Sequence, residues 1–335
     1  MDFGFLLDYD LSNYVISSID DIKTLINLGD FNVNYYCFIY DNGNGDYNSY
    51  ITLLMFFSGA NATAENDVTI PNNIKIEREK YYEVVKFLLD NGAYPNIRHV
   101  EGDTALGYAC NHDDNVEPED VIKMVKLLLK KGSDPNVGSY KKPLYYAIEM
   151  GPPEVVELLL KAGADPNEIA ELNEIEYDKT PLQLALGSNY TLYDNTLENF
   201  KLLLKYGANP NTFLPGYNGN LNVLEDILMN YAGDDAMPRE LQIELVNLLL
   251  NYGINPSVEI QNSLWYQGIE RIINKKMLQI SGVHRNPMTG KIAYKQQSAE
   301  DLSSLPIGVK SRIKDFLFSQ KHKKIIKRRK RSKNK

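Results

Sequence analysis

Several kinds of chemistry are scarce in this chain of 335 residues. Only two cysteines are present, Cys37 and Cys110. Two thiols build neither a disulfide scaffold nor a Cys-rich zinc site, and a reducing compartment is the simplest reading. The four histidines stand at 99, 112, 284 and 322, without metal-ligand spacing. His112-Asp113-Asp114 reads as a hydrophilic loop. No phosphate-binding loop is found. Gly43-Asn44-Gly45 lacks the third glycine and the helix start of a dinucleotide fingerprint, and Gly290-Lys291 lacks the upstream glycine of a P-loop. Acidic pairs such as Asp20-Asp21 and Asp234-Asp235 read as solvated faces or caps. The longest apolar stretch, residues 50–60, is too short to span a bilayer. The N-terminal MDFGFLLDYD is acidic where a secretory signal is basic. These lacks argue against an enzyme, a secreted protein and an integral membrane protein, and no cofactor or metal is expected.

Charge is unevenly spread. Residues 1–270 hold 17 Lys and Arg against 41 Asp and Glu, whereas residues 271–335 hold 19 against 3. The net charge of −8 therefore averages an acidic body and a basic end. An acidic body repels nucleic acid and anionic membranes, and a basic tail attracts both. Asn, Tyr, Ile and Lys are all abundant, with 23 Tyr against one Trp. Their codons are AT-rich, which hints at an intracellular bacterium or a large DNA virus as the source.

The chain repeats itself. LLDNGAYPN (88–96), LLKKGSDPN (128–136), LLKAGADPN (159–167), LLKYGANPN (203–211) and LLNYGINPS (249–257) align, and LINLGDFNVN (25–34) is a looser copy. Their glycines fall at 29, 92, 132, 163, 207 and 253, spaced by 63, 40, 31, 44 and 46 residues. An apolar helical face precedes each glycine, as in VVKFLL and VVELLL. Gly92, Gly132, Gly163, Gly207 and Gly253 sit where a helix C-cap needs a left-handed residue. Pro95, Pro135, Pro166, Pro210 and Pro256 follow three residues later and stop the helix. A second, shorter apolar stretch comes before several of these: DTALGYAC (103–110), KPLYYAIEM (142–150) and TPLQLALGS (180–188). Thr104 and Thr180 suit N-caps, and Pro143 and Pro181 suit the first helical turn. Cys110 falls on such a helix as a small core residue.

TPLQLA (180–185) and LLKAGADPN (159–167) resemble the ankyrin repeat, whose inner helix begins T-P-L-H-x-A and whose outer helix ends L-L-x-x-G-A-D-x-N. The resemblance covers roughly residues 10–280. It departs from the pattern at Gly107, Tyr145 and Gln183, which replace the family's histidine. It implies an all-α solenoid of about six helix-turn-helix units with β-turn finger loops. The expected organisation is a degenerate N-terminal capping repeat (1–35), repeats with insertions and a C-terminal cap (36–282), a linker (283–301), a short amphipathic helix (302–318) and a basic tail (319–335). Most units exceed the usual period of about 33 residues. Insertions lie between inner and outer helices (61–80, 110–120, 189–195, 230–240) and after outer helices (168–178, 212–220). The second class is expected to lengthen the fingers.

The resemblance implies a non-catalytic module that binds protein through finger loops and the concave face. Arg98, His99, Ser139, Tyr140, Tyr177, Phe213 and Tyr217 are finger-tip candidates. Tyr145, Tyr146 and Gln183 are candidates for exposed inner-helix positions. Tyrosine suits interface anchors, and it is also common throughout this chain. The acidic body calls for a partner with basic patches. The protein is expected to be a monomer, in cytoplasm or nucleus.

Residues 263–280, with Trp265 and several isoleucines, read as a terminal helical cap. Further on, LSSLPIGVKSRIKDFLF (302–318) resembles the opening of an F-box and the truncated F-box-like end of ankyrin proteins from large DNA viruses. That resemblance implies adaptor docking by Leu305, Pro306, Val309, Ile313 and Leu317, and recruitment of a host cullin-RING ubiquitin ligase. An amphipathic helix packed back on the repeats is the alternative. The tail 321–335 has 10 Lys and Arg and no acid. Lys327, Arg328, Arg329, Lys330 and Arg331 match a nuclear import signal. Nonspecific contact with nucleic acid or membrane and a solvated tail remain alternatives.

Overall fold

The structure is a computed structural model. It describes residues 9–10, 14–27, 31–35, 37–38, 50–60, 74–99, 102–112, 116–138, 142–169, 178–187, 192–216, 219–229, 237–254, 268, 271, 283–285 and 292–294. The chain divides into two compact units, the first made of residues 1–188 and 193–208, the second of 189–192 and 209–335.

The first unit opens with strand β1 (Tyr9–Asp10), helix α1 (Ile19–Asn27), and strands β2 (Cys37–Phe38) and β3 (Tyr50–Ile51). The strands form a small sheet in the order β1-β2-β3, with β2 parallel to β1 and antiparallel to β3. Asp21 fixes the start of α1 by accepting hydrogen bonds from the backbone N–H groups of Ser17 and Ser18 at 2.9 and 2.8 Å. Four helix pairs follow among the described residues. In the first, α2 (Leu53–Met55) runs into a wide π turn at Phe56–Ala60, and a 3₁₀ turn at Arg78–Lys80 leads into α3 (Tyr81–Asp90). The others are α4 (Ala105–Cys110) with α5 (Pro118–Lys130), α6 (Pro143–Glu149) with α7 (Pro153–Lys161), and α8 (Pro181–Leu184) with α9 (Thr196–Lys205). Inner helices stack as α4 on α6 on α8, and outer helices as α3 on α5 on α7 on α9.

Local sequence accounts for the helix starts. Thr52, Thr104 and Thr180 each accept a backbone N–H from the third residue of their helix. Thr180 and Gln183 form a reciprocal capping box. Proline opens α5, α6, α7 and α8, where its missing N–H costs nothing. Threonine caps and first-turn prolines stand where the sequence placed them, and Cys110 is fully buried on α4.

The outer helices end alike. In the first-unit copies ending at Gly92, Gly132, Gly163 and Gly207 the glycine N–H donates three residues back, as from Gly163 to Leu160 at 3.2 Å. The next N–H donates five residues back, as from Ala164 to Leu159 at 3.0 Å. This is the Schellman pair of bonds, and it needs the positive φ of Gly92, Gly132, Gly163 and Gly207, between 91° and 97°. Asparagines then tie each loop to the next. Asn34 donates to the carbonyl of Gly92, Asn96 to Gly132, Asn136 to Gly163 and Asn167 to Gly207, at 2.9–3.1 Å.

The second unit holds strands β4 (Leu214–Gly216) and β5 (Gly219–Leu221), helices α10 (Val223–Met229) and α11 (Arg239–Asn251), and strands β6 (Val283–Arg285) and β7 (Ile292–Tyr294). The expected finger at 212–220 is an antiparallel hairpin pairing Leu214 with Leu221. Asn222 caps α10, accepting from the N–H groups of Leu224 and Glu225 at 3.0 Å. Asn211 donates to the carbonyl of Gly253 at 3.2 Å, repeating the loop tie within this unit. β6 and β7 pair antiparallel within the segment 283–301 read as a linker. These short strands add to the helical framework expected from sequence. The helical-cap reading of 263–280 lies outside the described residues apart from 268 and 271.

Candidate functional site

The fingers and inner helices carry the side chains singled out from the sequence. On the finger between α3 and α4, Arg98 is exposed and His99 is buried. The finger turns on His99 itself. Its N–H donates to the carbonyl of Asp103 at 2.6 Å, and its carbonyl accepts from Gly102 at 2.8 Å. Its ring stands at 72° to Tyr108, with centroids 6.3 Å apart. His99 therefore braces the finger from inside, correcting its assignment to the tip.

Tyr145 and Tyr146 part company on α6. Tyr145 is fully buried, and its hydroxyl donates to the carbonyl of Glu168. Burial, reinforced by the charges of Glu168 and Asp165, pushes the phenol well above its ordinary range. Tyr146 is half-buried, and its hydroxyl donates to Asp103 on the neighbouring finger at 3.3 Å. Gln183 is buried too, since its amide completes the capping box of α8. The expectation that Tyr145 and Gln183 lie exposed is thus corrected. On a helix of one or two turns, cap and core demands leave few positions for solvent.

Phe213 is 49% exposed at the foot of the β4–β5 hairpin in the second unit. Ser139, Tyr140, Tyr177 and Tyr217 lie outside the described residues. So do Leu305, Pro306, Val309, Ile313 and Leu317, and Lys327, Arg328, Arg329, Lys330 and Arg331.

Among the exposed apolar side chains of the first unit that escaped the sequence reading are two on loops after outer helices. Tyr94 is 67% exposed, and Ile169 follows Glu168 on the loop after α7. A signal for Tyr94 was present. Two residues after the loop glycine four other copies carry Asp134, Asp165, Asn209 and Asn255, whereas this copy carries an aromatic ring, as the looser copy does in Phe31. Asp134 and Asp165 use their carboxylates to accept the N–H two residues on, from Asn136 and Asn167, at 2.9 and 2.8 Å. Tyr94 gives up that turn bond and presents a ring to solvent.

Among the described residues no group of three or more His, Cys, Asp or Glu is placed to hold a metal ion. Cys110 is enclosed, and burial drives its thiol well above the ordinary range, far from a reactive thiolate. No described helix is long and apolar enough to cross a membrane.

Residues 74–170 match the family model of ankyrin repeats, in three copies. No curated protein matches the chain. Among solved structures, an ankyrin repeat domain from Acinetobacter baumannii is 22% identical, with a TM-score of 0.46 over 71% of this chain and 95% of that one. The ankyrin repeat domain of Bcl-3, a member of the IkappaB family, is 19% identical, with a TM-score of 0.48 over 76% of this chain and 93% of that one. The fold is an ankyrin-repeat solenoid, seen in the paired helices and Schellman-capped loops of the matched segment and in the equivalent loops at Gly207 and Gly253.

Proposed function

We propose that this protein is a non-catalytic module that binds another protein through its fingers and the adjoining inner-helix positions. The observation that carries the reading is the surface around Asp103. That residue links Tyr146 of one repeat to the finger of the repeat before, and the same finger holds Arg98 exposed. An interface anchor of this kind combines a ring, a guanidinium and a rigid backbone. In the second unit, Phe213 at the hairpin gives an equivalent apolar anchor. The excess of acid over base in residues 1–270 favours a partner with basic patches and a salt-sensitive association.

A second reading concerns what the module does with its target. LSSLPIGVKSRIKDFLF (302–318) supports adaptor docking by Leu305, Pro306, Val309, Ile313 and Leu317, which makes the protein a substrate receptor for a ubiquitin ligase. The run Lys327, Arg328, Arg329, Lys330 and Arg331 supports nuclear import or nucleic-acid contact through the tail. Affinity capture from eukaryotic lysate, read by mass spectrometry, separates these. Arg98→Glu with Tyr146→Ala removes the target under the principal reading. Leu305→Ala with Pro306→Ala removes a cullin-ligase adaptor and spares the target under the second. Deletion of 321–335 affects only nuclear accumulation or nucleic-acid retention under the third. Identical capture by the wild type and the Arg98, Tyr146 variant refutes the finger surface.

A further inference from the structure

One cavity in the first unit marks a departure from the repeat. The position eight residues before the loop glycine is fully buried as Val84, Val155 and Asn199 in three copies of that unit, and as Leu245 in the second. In the copy ending at Gly132 the position is Met124, which is half-buried because it lines a cavity of about 410 Å³. The walls come from two successive repeats, from the π turn and the start of α3 on one side and from the end of α4 and the start of α5 on the other.

The lining is specific in chemistry. Phe57 and Tyr81 stand edge to face, centroids 5.0 Å apart at 84°, and so form two walls at a right angle. Tyr82 adds a third ring, 39% exposed. The π turn also brings Ser58 to the lining. Its Oγ is buried and has no hydrogen-bond partner among the described residues. A buried hydroxyl in that condition is costly, and π turns often mark functional positions. Three carboxylates line the cavity, from Glu79, Glu117 and Asp120, against two cations, Arg78 and Lys123, and the imidazole of His112. Asp120 is already held by Lys123 at 2.9 Å. Glu79 and Glu117 are exposed and make no ion pair among the described residues.

We propose that this cavity receives one basic side chain, a lysine or arginine, from a protein partner. The inference rests on the protein-binding reading above and names the chemistry at one point of the contact. Ring faces attract a cation that has shed water. The apolar stem of the incoming side chain lies against Phe57 and Met124. Ser58 Oγ accepts a hydrogen bond from the charged head, and Glu79 and Glu117 neutralise it. A cavity of this size takes the whole side chain and the adjoining peptide group.

The test uses the full chain, isotope-labelled for NMR, and three probes: N-acetyl-lysine methylamide, N-acetyl-arginine methylamide, and the uncharged N-acetyl-norleucine methylamide. A charged probe is expected to shift the amide signals of Ser58, Gly59, Ala109 and Val121 saturably at millimolar concentration. Norleucine is expected to bind about tenfold more weakly, equivalent to about 1.4 kcal/mol. Glu117→Gln and Tyr82→Ala alter side chains outside the packed core, so the fold survives, and each is expected to weaken the charged probe by about three- to tenfold. Equal binding by norleucine, or shifts confined to other residues, or no saturable shift by either charged probe, overturns the proposal. Arg98 and Tyr146, changed in the finger variants, are not part of the cavity lining. Failure of the cavity therefore leaves protein binding by the fingers standing, and failure of the fingers shows separately.

Discussion

The Asn136 side chain spans two repeats by making both kinds of amide hydrogen bond. Its Nδ2 donates to the carbonyl of Gly163, and its Oδ1 accepts the N–H of Asp165, both at 2.9 Å. Asn34 does the same with Gly92 and Tyr94, and Asn96 with Gly132 and Asp134. One side chain thus satisfies a donor and an acceptor in a loop that has no ladder of its own. In a solenoid, stability lies largely in such nearest-neighbour terms. Asn136→Ala is expected to cost about 1–2 kcal/mol, from two bonds at the surface. Asn136→Asp keeps the acceptor, and its O–H can stand in for the donor where the carboxyl is protonated, so there it should fall between alanine and wild type; once ionised it has no donor and should fall below alanine beside the Gly163 carbonyl. Urea midpoints at unchanged m-value measure both.

Gly163 sits in that same loop at φ 96°, and a Cβ built there meets nothing within 4 Å. The cost of substitution is therefore backbone strain alone. Gly163→Val is expected to destabilise by about 1–2 kcal/mol. Gly163→Asn should cost clearly less, because asparagine tolerates the left-handed region. Thermal melts of the two variants test the order, and equal losses would move the cause from backbone to crowding.

Glycines, prolines and caps were legible because each acts on its own few residues. Thr180, Pro181 and Gly163 announce a helix start or stop without reference to anything distant. The asparagine ties were not, since Asn136 finds its partner 27 residues further on. The inner-helix faces were misjudged for a related reason. KPLYYAIEM is too short for a period to separate Tyr145 from Tyr146, and only packing against the Glu168 loop decides which ring is enclosed. The cavity left no mark beyond Met124 standing where other copies carry Val84 and Val155. Its walls depend on a π turn that the apolar run 52–60 does not distinguish from an α-helix.

Gly59, in that π turn, is constrained twice. Its φ is 145°, and an added Cβ would lie 2.4 Å from the Tyr108 carbonyl oxygen, which belongs to backbone and has no rotamer to yield. Gly59→Ala is expected to cost at least about 2–3 kcal/mol, more than Gly163→Val, because overpacking adds to strain. It should also displace α4 relative to the π turn. A lower melting temperature, together with changed near-ultraviolet dichroism from Tyr81 and Tyr108, checks both consequences.

Acid sensitivity should arise between the outer helices. Asp90 at the end of α3 is bonded to Lys131 at the end of α5 and to Lys86 on its own helix, the second at 2.7 Å. The Lys131 bond first, then Lys86, lowers its carboxyl from 3.8 to about 2. Glu157 on α7 is lowered likewise by Lys161 and by Lys205 on α9. A depressed carboxylate contributes stability above its unfolded value, and the contribution disappears as pH falls through the folded value. For Asp90 the loss therefore runs from about pH 4 down to about pH 2. Both groups are open to solvent, so salt screens the pairs. Asp90→Asn is expected to melt lower than wild type at pH 6 in dilute buffer, and to converge with it near pH 2 and again in about 1 M salt. A difference that persisted at pH 2 would assign the effect to packing of the Asp90 side chain rather than to its charge.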